Sequence, residues 1–217
     1  MLWVMFFLAP VLQFLLARLL VPWLVEAFPV LAEYRLIILM LMALQVVTGI
    51  GFVAASIMLD EKDEGVLTAI RTLPLGAHTF LVSRLLGAVL IAFIFSLAML
   101  GGTGLSALPG PTLPAAALLL ALLTPLVALV LAGFARNKVE GLAIFKVLNL
   151  VLLLPVASLF LNSAARYALS IVPVYWTYQF IDGVNNGTLA AGYGLVALAF
   201  HLAVIAGLYR WFKRKIF

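Results

Sequence analysis

A chain of 217 residues that is 66% hydrophobic and only 10% charged, with a mean hydropathy of +1.26, lies far outside soluble composition, where roughly 25% of residues carry charge. The absence of cysteine excludes disulfides, thiolate metal sites and a cysteine nucleophile. A net charge of +5 would suggest nucleic acid in a soluble protein. In so apolar a chain it instead sets orientation against a membrane face, and no nucleic-acid partner is expected.

The apolar runs are long, continuous and rich in Leu and Ala. A spanning β-barrel would alternate apolar and polar residues in segments of about ten. Helices of about 20 residues cross a hydrocarbon core of about 30 Å, so the expected fold is all-α. It is a single polytopic domain over residues 1–217 with six transmembrane helices in the lipid bilayer.

The first span is expected at about 2–23; residues 1–9 lack the basic leading region of a signal peptide. It contains Pro10, Gln13 and the aromatics Phe6, Phe7 and Phe14. The second, about 36–59, contains Gln45, Phe52 and the small-residue stripe Thr48, Gly49, Gly51 and Ser56, which reads as a close-packing surface. Polar groups inside a membrane are costly and are functional candidates by default, although a lone Gln is explained about as well by a bond across helices.

The segment after span two is the most patterned in the chain. Asp60, Glu61, Asp63 and Glu64 place four of the eight acidic residues within five positions. Asp60 and Glu61 can extend the second helix into water, and Gly65 offers a break. From Val66 a short amphipathic helix would set Val66, Ile70 and Leu73 on one face with Leu67 beside it, Arg71 near its end and Pro74 as its stop. Its apolar face would rest on lipid or the protein's own helix ends, or enter a groove on a soluble partner; four acids would be repelled by an anionic inner leaflet, which favours the partner.

Span three is expected at about 79–105. Pro109-Gly110-Pro111-Thr112-Leu113-Pro114 then makes a turn into span four at about 113–134, which carries Pro125. Span five, about 142–161, holds Asn149 and Pro155. The longer connection that follows contains Tyr175, Trp176, Tyr178 and Asp182. Its stretch 172–184 is too apolar for a free loop and too short to cross, which predicts a re-entrant or interfacial helix. The last span, about 189–211, has a lone His201, with no carboxylate evident at its depth to serve a proton relay.

Lys and Arg divide unequally between the two sides. The loops after spans two and four, with the C-terminus, carry Lys62, Arg71, Arg84, Arg136, Lys138, Lys146, Arg210, Lys213, Arg214 and Lys215. The other side has Arg18, Arg35 and Arg166. Ten against three puts the first set, and both termini, in the cytoplasm of a cell inner (plasma) membrane.

The run Glu-x-x-Glu-Gly-x-Leu-x-x-Ile-Arg-x-x-Pro-Leu from Glu61 to Leu75, with Arg84 entering span three, resembles the loop of type-2 ABC transporter permeases. That family shows Glu-x-x-x-Gly-Thr-Leu-x-x-Leu-x-x-x-Pro; Val66 stands here where Thr is usual. The likeness takes in the six spans, the Ala135-Arg136-Asn137 turn and the Pro173-x-Tyr-Trp region, and the small drug or fluoroquinolone exporters look nearest. The family usually begins with an amphipathic elbow helix, whereas this sequence opens at Met1-Leu2-Trp3-Val4 with no basic residue before Arg18.

The resemblance implies one permease subunit of a homo- or heterodimer, working with separate ABC ATPase subunits that bind ATP and Mg. The chain itself would bind no cofactor and no metal and hydrolyse nothing, and it lacks a Gly-x-x-x-x-Gly-Lys-Ser/Thr run. Residues Asp60, Glu61, Glu64, Gly65, Val66, Leu67, Ile70, Arg71 and Pro74 would form the ATPase-coupling loop. Tyr175, Trp176 and Tyr178 would form an external gate, and Gln13, Gln45 and Asn149 would face a pathway for a hydrophobic or amphipathic substrate. The alternatives are an ion-coupled carrier, which should carry charged residues at mid-span, an intramembrane enzyme, and a scaffold that recruits a soluble partner through the same loop.

Overall fold

The computed structural model describes residues 2–64, 76–161, 164–188 and 190–216; of the predicted coupling loop, Gly65, Val66, Leu67, Ile70, Arg71 and Pro74 lie outside them. The protein is all-helical, with no strand among the described residues and six helical stretches long and apolar enough to cross a membrane. Helix α1 (Leu2–Leu15) passes through a π-helical turn, Leu16–Leu20, into α2 (Val21–Ala27). Pro22 explains the irregular turn: it has no N–H to offer the carbonyl of Arg18 four residues back, and its ring crowds that carbonyl. Arg18 sits in this turn and donates from Nη1 to the carbonyl of Thr103 at 3.3 Å.

Helix α3 (Arg35–Asp63) is followed by α4 (Gly76–Gly102), α5 (Thr112–Ala121) and α6 (Leu123–Phe134), the last two forming one span. Their break at Leu122 follows from Pro125, which cannot bond back to Ala121. Helix α7 (Lys138–Leu153) is well started. The Asn137 side chain accepts from the Glu140 N–H at 2.9 Å, and Glu140 Oε2 accepts from the Arg136 N–H at 2.9 Å. Pro155 turns its end into a 3-10 segment, Leu154–Leu159. A second 3-10 turn, Ala164–Ile171, leads to α8 (Val174–Asn185), and α9 (Ala191–Ile216) closes the chain.

Spans two and four are the centre of the bundle, 56% and 83% buried against 11–33% for the other four. Small residues let their backbones approach. A Cβ on Gly51 would lie 2.8 Å from Cβ of Val127 and 2.9 Å from the Thr124 carbonyl, and Thr124 Oγ1 donates to the Val47 carbonyl at 3.1 Å. Thr48 and Ser56 spend their hydroxyls on carbonyls one turn back in α3, at 2.8 and 2.9 Å. Span six joins span four at its basic end, where Phe134 stacks on Trp211 with centroids 4.6 Å apart and Lys215 Nζ caps the Gly133 carbonyl at 2.8 Å.

Outward faces are apolar, as with Leu86, Leu90 and Ile94 on successive turns of α4. Such a surface matches hydrocarbon rather than water.

Candidate functional site

Helix α3 has 29 residues, or about 43 Å at 1.5 Å per residue. That exceeds the hydrocarbon thickness of about 30 Å, so its last turns reach into water and carry the acidic run. The structure gives two of these acids partners within the chain. Asp60 Oδ1 pairs with Lys138 Nζ at 2.7 Å, at the start of α7, and Glu61 pairs with Arg84 on α4. Glu61 is 9% exposed, whereas Asp63 and the capping residue Glu64 are exposed.

The three residues predicted to face a pathway meet at one place. About 15 Å in from Arg35, by helix rise, Gln45 accepts a hydrogen bond at 3.1 Å from Asn149 Nδ2 on α7. Beside that pair opens a cleft of about 250 Å³, walled by Ala9, Pro10 and Gln13 of α1, by Gln45, Gly49 and Phe52 of α3, and by Leu142 and Phe145 of α7. Phe52 and Phe145 meet at its far side with centroids 4.9 Å apart. A Cβ on Gly49 would touch nothing within 4 Å, so this glycine opens the cleft while Gly51, two residues on, closes against span four. The small-residue stripe therefore has two faces with different work.

The amide of Gln13 has no hydrogen-bond partner among the described residues, and neither does the side-chain N–H2 of Gln45. Asn149 Oδ1 is buried without a partner. In a low dielectric, unspent amide groups are costly (about 1–3 kcal/mol each by protein mutational data). The cleft therefore has the character of a ligand site, apolar and aromatic with a few convergent hydrogen-bonding groups. Phe145, Leu142 and Gly49 went unnoticed as lining groups. The signal was the spacing 138, 142, 145, 149, which keeps one face of α7 turned toward span two.

The residues expected to form an outer gate lie elsewhere, on α8. Tyr175 and Tyr178 are fully buried, and Trp176, half-buried, donates from Nε1 to the Ser170 carbonyl at 3.0 Å. Gln179 Nε2 donates to Ser158 Oγ at 3.0 Å, and Asn185 Oδ1 accepts from the Ala107 N–H at 2.9 Å. These bonds tie α8 to the ends of spans five and three. His201 is buried with Nδ1 2.7 Å from the Ala197 carbonyl, a local bond within its own helix. A smaller cavity of about 130 Å³ lies between spans one, two and three at Ser83, Arg84 and Gly87, and sequence patterning gave no hint of it.

Comparison with known proteins settles the class of molecule. The family model described as "Fluoroquinolones export permease protein Rv2686c-like" matches residues 1–209. The chain belongs to the Rv2686c-like family. Two relatives from Mycobacterium tuberculosis are each 28% identical over 222 residues, covering 98% of this chain and 87% of theirs. They are the fluoroquinolones export permease proteins MT2760, of strain CDC 1551 / Oshkosh, and Rv2686c, of strain ATCC 25618 / H37Rv. No solved structure matches. Membership in the Rv2686c-like family, with six apolar helices, makes the protein a multi-pass membrane protein of permease type.

Proposed function

We propose that this member of the Rv2686c-like family is the membrane subunit of an ATP-driven type-2 ABC exporter. It works as a dimer, homo- or heteromeric, with separate ATPase subunits that bind ATP and Mg, and it lies in the plasma membrane with both termini cytoplasmic. The observation that carries the reading is the cleft between spans one, two and five. It is uncharged, floored by Phe52 and Phe145, and edged by the carboxamides of Gln13 and Gln45. Such a wall suits a flat amphipathic molecule with hydrogen-bonding groups, and the fluoroquinolones named for the relatives are of that class.

Coupling to the ATPases falls to the segment from Asp60 to Pro74. Because Asp60 and Glu61 already have partners within the chain, Asp63 and Glu64 are the acids that would meet the ATPase. Tyr175, Trp176 and Tyr178 would act as the external gate by moving with α8 as a body.

Two measurements test the reading. Coexpressed with an ATPase subunit of matching origin, the chain should co-purify with it and raise its turnover, and Asp63→Arg with Glu64→Arg should weaken both. A wild-type chain that neither binds nor stimulates any such ATPase would sink the ABC reading. In cells, Gln13→Leu or Gln45→Leu should lower fluoroquinolone efflux by about three- to tenfold at equal expression, the scale of one lost hydrogen bond. Unchanged efflux in both variants would remove the substrate from this cleft.

A further inference from the structure

The charges at the joined ends of spans two and five have the wrong sign for their own helices. Asp60 lies in the last turn of α3, at the negative end of the helix dipole, and Lys138 is the first residue of α7, at the positive end. Each position is unfavourable locally, and among the described residues the two pair with each other, at 2.7 Å. A local rule broken in favour of a contact between helices marks a functional arrangement.

The same two spans meet along an antiparallel seam that lines the cleft and continues below it. Gln45 meets Asn149 on the upper side, and Phe52 meets Phe145 beneath. Further down, Gly141 lets Leu59 approach so closely that a Cβ there would lie 3.3 Å from its Cδ1. Asp60 and Lys138 end the seam. Positions 45, 52, 59 and 60 share one side of α3 by helical spacing, as do 138, 141, 145 and 149 on α7.

We infer that this seam is the inner gate of the cleft, with the Phe52–Phe145 contact as its shutter and the Asp60–Lys138 ion pair as a latch that must part for the cleft to open toward the charged end of the bundle. The side chains of Asp60 and Lys138 are 35% and 46% exposed, so solvent screening keeps the latch weak and reversible. A weak latch is what an opening and closing gate requires, since a contact of several-fold bias can be overridden by a partner's binding. The inference deepens the permease reading and rests on it for the purpose of the gate, but the test needs neither substrate nor ATPase.

The chain has no cysteine, and a side chain at Gly49 meets only open space. Gly49→Cys therefore gives a single probe inside the cleft, read by its rate of reaction with a charged, water-soluble maleimide in nanodisc-embedded protein. Asp60→Lys or Lys138→Asp should raise that rate about three- to tenfold, the shift expected from removing a half-exposed pair and adding repulsion. The exchange Asp60→Lys with Lys138→Asp should restore the parent rate. Each single reversal improves the electrostatics of its own helix end, so faster labelling would not reflect a frayed helix. Lys213→Asp, a charge reversal at an exposed position of α9 outside the seam, should leave the rate unchanged. Phe145→Ala should also speed labelling, and Asp60→Lys should add little on top of it. Single reversals that label at the parent rate, or an exchange as fast as the singles, would overturn the latch. A wild-type chain that shows the latch behaviour but exports no fluoroquinolone would count against the permease reading alone.

Discussion

Gly49 and Gly51 stand two residues apart on one helix and illustrate how differently the same residue type can be used. Gly51→Ala puts a methyl 2.8 Å from Val127 and 2.9 Å from a backbone carbonyl at the centre of the bundle. Overpacking of this kind costs about 1–3 kcal/mol, and a lower melting temperature of the purified protein is expected. Gly49→Ala meets nothing and gains helix propensity, up to about 1 kcal/mol, so its melting temperature should hold or rise. The two measurements side by side check the orientation of α3 about its own axis.

Asp182, on α8, is a second residue with a readable consequence. Burial pushes its carboxyl above the ordinary 3.8, against a smaller opposing effect from the Asn186 amide, which donates to it at 3.1 Å. A raised pKa means that the folded state holds the proton more tightly than the unfolded one. Stability is therefore greatest below the unfolded pKa and declines as pH rises through the folded value. Asp182→Asn keeps an oxygen for Asn186 and removes the titration. Its melting temperature should exceed the wild type's at neutral pH, and the gap should shrink as pH falls toward 4. A gap independent of pH would show that another effect is at work.

At the level of elements, the prolines were the most legible marks in the sequence. Pro125 divides span four at Leu122 and Pro155 ends α7, each through the backbone donor it lacks. The span count followed from composition alone, because the bilayer fixes helix length. Helix ends moved most: α3 runs on to Asp63 and α9 to Ile216, since polar residues outside the hydrocarbon can prolong a helix that hydropathy would end earlier. Residues 172–184 read as too apolar for a free loop, and Val174–Asn185 is helical. Their helix α8 is held by Gln179 on Ser158, whose hydroxyl in turn donates to the Pro155 carbonyl at 2.6 Å. Ser158→Ala strands a buried amide, which costs about 1–3 kcal/mol. The melting temperature should drop, and Gln179→Leu added to it should recover part of the loss.

At the level of the whole molecule, what the sequence could not reveal was pairing. Gln13, Gln45 and Asn149 were each visible as costly polar groups, but their convergence on one cleft depends on how spans one, two and five turn about their axes. Asp60 and Glu61 read in sequence as part of a docking surface, and their intrachain partners, Lys138 and Arg84, arrive from other spans that no local pattern names. Charge segregation shows which side of the membrane a base is on, yet not which acid it will meet.

The latch also has a history within each newly made chain. Three acids crowd the last turn of α3, and Lys138 lies two spans further along the sequence. Because a chain emerges N-terminus first, Asp60 must wait for Lys138 while spans three and four are made. Arg84 can quiet Glu61 as soon as span three arrives, and Lys138 reaches Asp60 when span five inserts. The seam between spans two and five is thus a late closure in assembly, and its completion marks a bundle with all its inner spans in place.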